Sequence, residues 1–199
     1  MQGWLYLVVL LPALSAATAA DATVVGGGVE TGTRSGRFTK LDPAEAFSVG
    51  KDNFESADLY AFDEDQNIIL SRQIVVDVGI GPGPGDEVAS HYVFFDPAGG
   101  GRQTGYVDFD APIYGVATRQ KTMADSDDLA NTQVTYLSPG ARGLEAGDKV
   151  SIDPENPFRL HVIWGASSPG DYIRVFTRHS PIAAKELDPA APPPRLALP

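Results

Sequence analysis

Apolar and polar residues alternate with a period of two along most of this chain. Successive side chains of a β-strand point to opposite faces, so such alternation predicts strands with one buried face. The runs that show it span residues 73–78, 107–110, 149–153, 158–164 and 173–178. The last two place His161, Arg174 and Arg178 on the polar face, and for His161 we expect contact with solvent. Two further runs, 58–62 and 88–95, are apolar on both faces and predict central strands.

Turn-forming residues separate these runs. The acidic stretch Asp63–Asn67 predicts a hairpin tip, and the Pro- and Gly-rich stretch Gly79–Gly85 excludes a helix or a central strand. Residues 123–131 predict the one helix, with Asp125 or Ser126 as its N-cap. We therefore expect an all-β chain that folds as a two-sheet antiparallel sandwich with one short helix. The jelly roll is one candidate topology for such a sandwich.

The two ends of the chain differ from the middle. In residues 1–20 an apolar run, Leu5–Leu14, precedes small residues and the A-x-A pattern at 17–19, which predicts a secretory signal peptide. That run is shorter than the about 20 residues of a membrane-spanning helix. Residues 21–35 predict a flexible lead-in or an edge strand, 36–180 the sandwich domain, and 181–199 a Pro-rich disordered tail. We therefore expect a secreted, extracellular protein that passes through the periplasm, without stable membrane insertion after cleavage.

Composition removes several kinds of chemistry. The 199 residues include no cysteine, which excludes thiol catalysis, Cys-ligated zinc and iron–sulfur clusters. The formal net charge of -11 repels the phosphates of nucleic acids, so no nucleic-acid partner is expected. Export without cysteine also means that a packed core, rather than disulfides, has to stabilise the domain.

No catalytic motif is recognisable in the sequence. The three histidines, His91, His161 and His179, form no H-E-x-x-H pattern or closely spaced pair, and a buried or solvent-exposed structural role is expected for them. The stretch Gly165–Gly170 departs from the G-x-S-x-G nucleophile elbow and precedes a strand rather than a helix. No residue is therefore predicted to be catalytic, although the many carboxylates leave a glycosidase-type pair open.

One acidic segment has a metal-ligand spacing. Asp63, Asp65 and Asn67 have the one-three-five spacing that begins a calcium loop, and hard cations prefer such oxygen ligands. Ile68 and Ile74 stand where an EF-hand has its glycine and its bidentate glutamate, so the segment is not an EF-hand. Ca²⁺ at these three residues is the one cofactor prediction, and an ordinary hairpin tip is the alternative.

Aromatic residues give a second type of candidate site. If some of them shared an exposed face of a sheet, they would suit stacking on sugar rings. The candidates are Tyr60, Tyr106, Tyr114, Trp164 and Tyr172.

Several segments resemble one group of proteins. They are Ser48–Phe54, Leu59–Asn67, Ala89–Pro97, Gly105–Asp110, Ile113–Val116, Leu129–Thr132, Val134–Leu137, Gly143–Glu145 and Trp164–Val175. Together they resemble exported bacterial β-sandwich proteins that often carry a PEP-CTERM (exosortase) or related C-terminal sorting signal. The resemblance implies an envelope protein of exopolysaccharide-producing bacteria and assigns no catalytic residue. The sequence stops at Leu196–Pro199, with only Arg195 nearby, and lacks the apolar helix and basic end of that signal. Either the anchor has been lost or the chain ends where the motif would begin, and a released form is expected.

These observations favour a non-catalytic secreted protein of the extracellular matrix or cell surface, with polysaccharide or a cell-surface component as its partner. A calcium-dependent binding or adhesion module is the first alternative. A secreted hydrolase that uses carboxylates is the second. The sequence leaves the ligand and the oligomeric state open.

Overall fold

A computed structural model describes residues 24–167 and 169–180. The predicted signal peptide at 1–20 and the predicted tail at 181–199 lie outside these residues. Strands account for most of the regular structure, which confirms the all-β class. Among the described residues, no helix has the length and apolar character needed to cross a membrane.

Thirteen strands and one α-helix follow one another along the described chain. The strands are β1 (Val24–Gly32), β2 (Phe38–Lys40), β3 (Ser48–Val49), β4 (Leu59–Asp63), β5 (Ile68–Ile69), β6 (Val78–Gly79), β7 (Glu87–Phe95), β8 (Gln103–Phe109), β9 (Ile113–Ala117), β10 (Thr135–Tyr136), β11 (Lys149–Ile152), β12 (Arg159–Trp164) and β13 (Asp171–Arg178). The helix, α1, spans Gln120–Ala124. Short 3₁₀ turns occur at Pro43–Glu45, Asp127–Leu129 and Pro139–Ala141.

Two sheets form the sandwich. The outer sheet has the order β1-β8-β12-β11 and is antiparallel throughout. The central sheet has the order β2-β4-β7-β13-β9-β6, in which only β2 and β4 run parallel. At the sides of the sandwich β1 lies against β2, and β11 lies against β6. β1 is an edge strand of the outer sheet and lies within residues 21–35, and the predicted antiparallel sandwich is confirmed.

Both faces of the central sheet are buried. Alternate residues of β7 and β13, such as Val93 and Val175, pack against the outer sheet, around the buried indole of Trp164. Their neighbours, such as Phe94 and Phe176, pack in a second core beneath a third layer. This layer contains α1, the adjoining 3₁₀ turns and a small parallel sheet of β3 and β10. The runs that are apolar on both faces therefore became the central strands, as predicted.

Three local predictions were wrong. The helix begins earlier than predicted, at Gln120, because the Asp77 carboxylate accepts hydrogen bonds from the backbone N–H groups of Thr118 (2.7 Å) and Arg119 (3.1 Å). The stretch after β4 is not a hairpin tip, because β4 and β5 both pair with β7 rather than with each other. Of the predicted strand at 73–78, only its last residue is in a strand, β6.

Candidate ligand-binding clefts

Two depressions of the surface bring polar side chains together. The first, the acidic cleft, has a volume of about 350 Å³ and is lined by residues 43–44, 63–66, 128 and 130–133. The second, the seam groove, has a volume of about 650 Å³ and lies where β11 of the outer sheet approaches β6 of the central sheet. The acidic cleft contains two of the three predicted calcium ligands, and the seam groove contains none of them.

A buried ion pair lies at the base of the acidic cleft. The Arg174 guanidinium donates from Nε to Glu64 Oε2 (2.5 Å) and from Nη2 to Oε1 (2.9 Å), and both side chains are inaccessible to solvent. The hydroxyl groups of Tyr136 (2.6 Å) and Ser90 (2.8 Å) donate to the same carboxylate. With four donors, Glu64 is fully committed to the protein, and Arg174, which the alternation places on the polar face of its strand, is buried.

The ion pair continues into the third layer. Arg174 Nη1 donates to Asp127 Oδ1 (3.0 Å) and Ser126 Oγ (3.0 Å), and Arg142 makes a bidentate contact with Asp127 at 2.7 and 2.8 Å. Burial alone would raise the pKa of Asp127, but the hydrogen bonds from Arg142 and Arg174 hold it below its ordinary value. Two arginines and two carboxylates therefore balance in charge and join the central sheet to the layer that covers it.

Asp63 is also committed to the interior. Its Oδ1 lies 2.8 Å from His91 Nδ1 and accepts the backbone N–H of Val24 (3.0 Å), and its Oδ2 lies 2.8 Å from Lys40 Nζ. Burial opposes the charged carboxylate, but His91 and Lys40 hold the pKa of Asp63 well below its ordinary value. His91 Nε2 lies 2.9 Å from Thr177 Oγ1. This Asp63–His91–Thr177 chain has the order of a catalytic triad, but all three residues are buried.

The remaining predicted calcium ligands diverge. Asp65 lines the cleft, and burial together with the negative charges of Glu64 and Asp128 raises its pKa, although a hydrogen bond from the Gln66 N–H opposes the rise. Asn67 instead exchanges two hydrogen bonds with the backbone of Ser180, at 2.7 and 3.2 Å. Within residues 24–167 and 169–180, no group of three or more histidine or acidic side chains has an arrangement that could hold a metal ion. Calcium binding at Asp63, Asp65 and Asn67 stays a prediction.

The seam groove is built differently. Three of its aliphatic side chains, Val78, Leu144 and Val150, are partly buried against the core between the sheets, and Ile163 is half exposed. Polar side chains of both signs accompany them, at Arg119, Glu145, Asp148, Lys149, Ser151 and His161. A further depression of about 210 Å³ shares residues 146–148 and Ile163 with the groove and extends it toward Arg102 and Gly165.

One wall of the groove is the loop 143–148. The Asp148 carboxylate shapes it, because Oδ2 accepts the Glu145 N–H (2.8 Å) and Oδ1 accepts the Gly165 N–H (2.9 Å). The Leu144 N–H donates to the Thr118 carbonyl oxygen (2.8 Å), which ties the start of the loop to the end of β9. The wall is thus a short loop fixed by these three hydrogen bonds, beside the neighbouring edge strands β11 and β6 of the two sheets.

The aromatic candidates do not form a stacking surface. Tyr60, Trp164 and Tyr172 are buried in the two cores. Tyr106 on β8 lies under the Arg159 guanidinium, whose Cζ is 4.0 Å from the centroid of the tyrosine ring. Tyr114 on β9 lies under the Arg178 guanidinium in the same way, at 5.2 Å. The two half-buried tyrosines belong to different sheets, so the five residues share no exposed face.

Sequence reasoning missed the residues that organise both depressions. Nothing in the alternation around Arg174 separates it from Arg178, and Glu64 sits among acidic turn residues of similar appearance. The comparisons add no assignment, since no family model, curated protein or solved structure matches this chain.

Proposed function

We propose that this protein is a secreted, non-catalytic β-sandwich of the extracellular matrix or cell surface, and that it binds polysaccharide in the seam groove. The observation that carries the proposal is the lining of the seam groove and of the adjoining depression, which combines aliphatic side chains with charged side chains of both signs. A sugar chain presents the same combination, with apolar C–H faces and rings of hydroxyl groups. Such a ligand can bury the aliphatic surface while its hydroxyls bond the charged side chains.

The distribution of carboxylates supports a role without catalysis. A glycosidase needs two carboxyl groups that both reach the scissile bond. In the acidic cleft, Glu64 and Asp63 are occupied by internal donors, and Asp128 pairs with Arg72. In the seam groove, Asp148 accepts two backbone N–H groups that fix the loop. Through these contacts the four carboxylates stabilise the fold.

The test is a glycan array with the purified protein, followed by calorimetry with the best ligand. The double variant Lys149→Ala/Ile163→Ala, which removes one cation and one aliphatic contact from the groove, should lower affinity on the order of tenfold. The matched control, Lys121→Ala/Ile69→Ala, removes the same groups from exposed positions outside the groove and should bind as the wild type does. An array without hits, together with no retention at the cell surface, would refute the proposal, and release of reducing ends would show a hydrolase instead.

A calcium-dependent adhesion module is the second candidate, and the raised pKa of Asp65 favours it. A cation in the acidic cleft would relieve the repulsion between Asp65, Glu64 and Asp128. This hypothesis predicts that millimolar Ca²⁺ raises the melting temperature and that Asp65→Ala abolishes the rise. If the melting curves with and without Ca²⁺ coincide, the calcium hypothesis is refuted.

A further inference from the structure

One buried carboxylate takes no part in the networks described above. Asp171 is the first residue of β13, lies opposite Phe95 of β7, and is 1% exposed. Its Oδ2 atom has no hydrogen-bond partner within the described part of the chain. Ionising a buried carboxylate is costly when one of its oxygens has no donor, because nothing replaces the water that this oxygen has lost.

The charged groups near Asp171 make ionisation harder. Burial, together with the negative charges of Asp148 and Glu145, raises the pKa of Asp171 to about 7. Both acidic residues belong to the loop that walls the seam groove. On β7 its partner Phe95 is apolar, and the next residue, Asp96, directs its carboxylate to the Phe54 N–H (3.1 Å). On the side of β12, the Gly165 N–H donates to Asp148.

The same loop is attached directly to β13. Gly143 pairs with Tyr172, the residue after Asp171, and its N–H donates to the Tyr172 carbonyl oxygen (3.2 Å). Gly143 (φ 111°) and Gly147 (φ 113°), near the two ends of the loop, have positive φ angles that favour glycine. Movement of the loop away from β13 would hydrate Asp171 and separate it from Asp148 and Glu145.

We propose that Asp171 is a proton-controlled latch, which holds the loop 143–148 against β13 when it is protonated and releases this wall of the seam groove when it ionises. The effect of the latch on ligand binding rests on the proposed function, whereas the loop opening does not. The latch adds pH regulation to that site.

The direction of the pH effect follows from proton linkage. The closed loop favours the protonated acid, so its advantage is complete below the ordinary value of 3.8 and is lost as the pH rises toward 7. In that window, opening should increase roughly tenfold per pH unit, and it should level off above about pH 7. The groove would therefore be closed in acid and open at neutral pH.

Hydrogen exchange of the amides at 143–148, corrected for the intrinsic pH dependence of exchange, tests the latch without any ligand. Wild-type protection should fall on the order of a hundredfold between pH 5 and 7. Asp171→Asn, which cannot ionise, should show a flat profile, whereas Asp125→Asn, on the exposed helix end, should behave as the wild type does. Equal wild-type protection of the loop at pH 5 and 7 would overturn the proposal.

A second variant covers the case in which Asp171→Asn fails to fold. Glu145→Gln removes one of the two charges that disfavour ionisation, so the carboxyl carbon of Asp171, followed by NMR, should titrate at a lower pH than in the wild type. An unshifted midpoint, or a wild-type midpoint near 4, contradicts the latch. Glycan binding with a pH-independent loop would refute only the latch, and a pH-dependent loop without glycan binding would refute only the proposed function.

Discussion

The acidic cleft and the seam groove both contain carboxylates, but they use them in opposite ways. In the acidic cleft, Asp63 and Glu64 contact His91 and Arg174, which lie on strands far away in sequence, so these two carboxylates belong to internal networks. In the seam groove, Lys149 and Ser151 are exposed, and aliphatic side chains separate the polar ones. The acidic residues of the first region therefore mainly stabilise the fold, while the mixed aliphatic and charged surface of the second region makes it the better candidate for the proposed ligand site.

The largest expected effect is the loss of the ion pair beneath the acidic cleft. Arg174→Met keeps an aliphatic side chain but leaves Glu64 buried without its cation, so we expect a loss of about 3–5 kcal/mol in the free energy of unfolding. Urea denaturation at pH 7 measures the change. The matched control is Arg178→Met, an exposed arginine on the same strand, for which we expect a loss below about 1 kcal/mol.

The double variant Glu64→Gln/Arg174→Met sharpens this prediction. Because it removes both charges, it should be less destabilised than the sum of the two single variants. Additive losses would mean that the contact between the two residues contributes little, and the contrast between the two regions would then fail.

A smaller effect is expected at Asp63, the second committed carboxylate. Asp63→Asn should lower the free energy of unfolding at pH 7 by about 2 kcal/mol, because it weakens the contacts with His91 and Lys40. The folded-state pKa of Asp63 lies below the ordinary 3.8, so this stabilisation is present above that pH and declines as the pH falls further. Urea denaturation at pH 7, 5 and 3 should show the difference from the wild type shrinking in acid. An Asp125→Asn control should show no such trend, and a constant difference for Asp63→Asn would contradict the linkage.

The sequence predicted the strands well because their signal is local. Alternation identified β8, β11, β12 and β13, and the run that is apolar on both faces identified β7. The third layer was missed, since a five-residue helix, short 3₁₀ turns and two-residue strands are too short to show a period. Because that layer covers β13, the alternation that normally indicates a half-exposed strand instead placed Arg174 in a core.

The organisation of the candidate sites was not predictable for a different reason. Glu64 and Arg174 are 110 positions apart, and their pairing depends on β4 and β13 both flanking β7. Asp65 and Asn67 have a suitable spacing for one cation, but the backbone after β4 continues along β7 toward β5 and brings Asn67 to Ser180. Spacing alone indicates which side chains are near in sequence, while the direction of the chain decides which of them converge.

The smallest expected effect separates the uncommitted carboxylate of the acidic cleft from its committed neighbours. Because the folded-state pKa of Asp65 is raised, its ionised form is disfavoured at pH 7, and its stabilising contribution is complete below the ordinary 3.8 and is lost as the pH rises through the raised pKa. Without calcium, Asp65→Asn should therefore raise the free energy of unfolding at pH 7, by less than about 0.5 kcal/mol for a partly exposed group. The seam-groove control, Lys149→Gln, should leave stability unchanged. A clear loss of stability in Asp65→Asn would show that this carboxylate is also held by the fold, and the acidic cleft would then offer no free ligand for a cation.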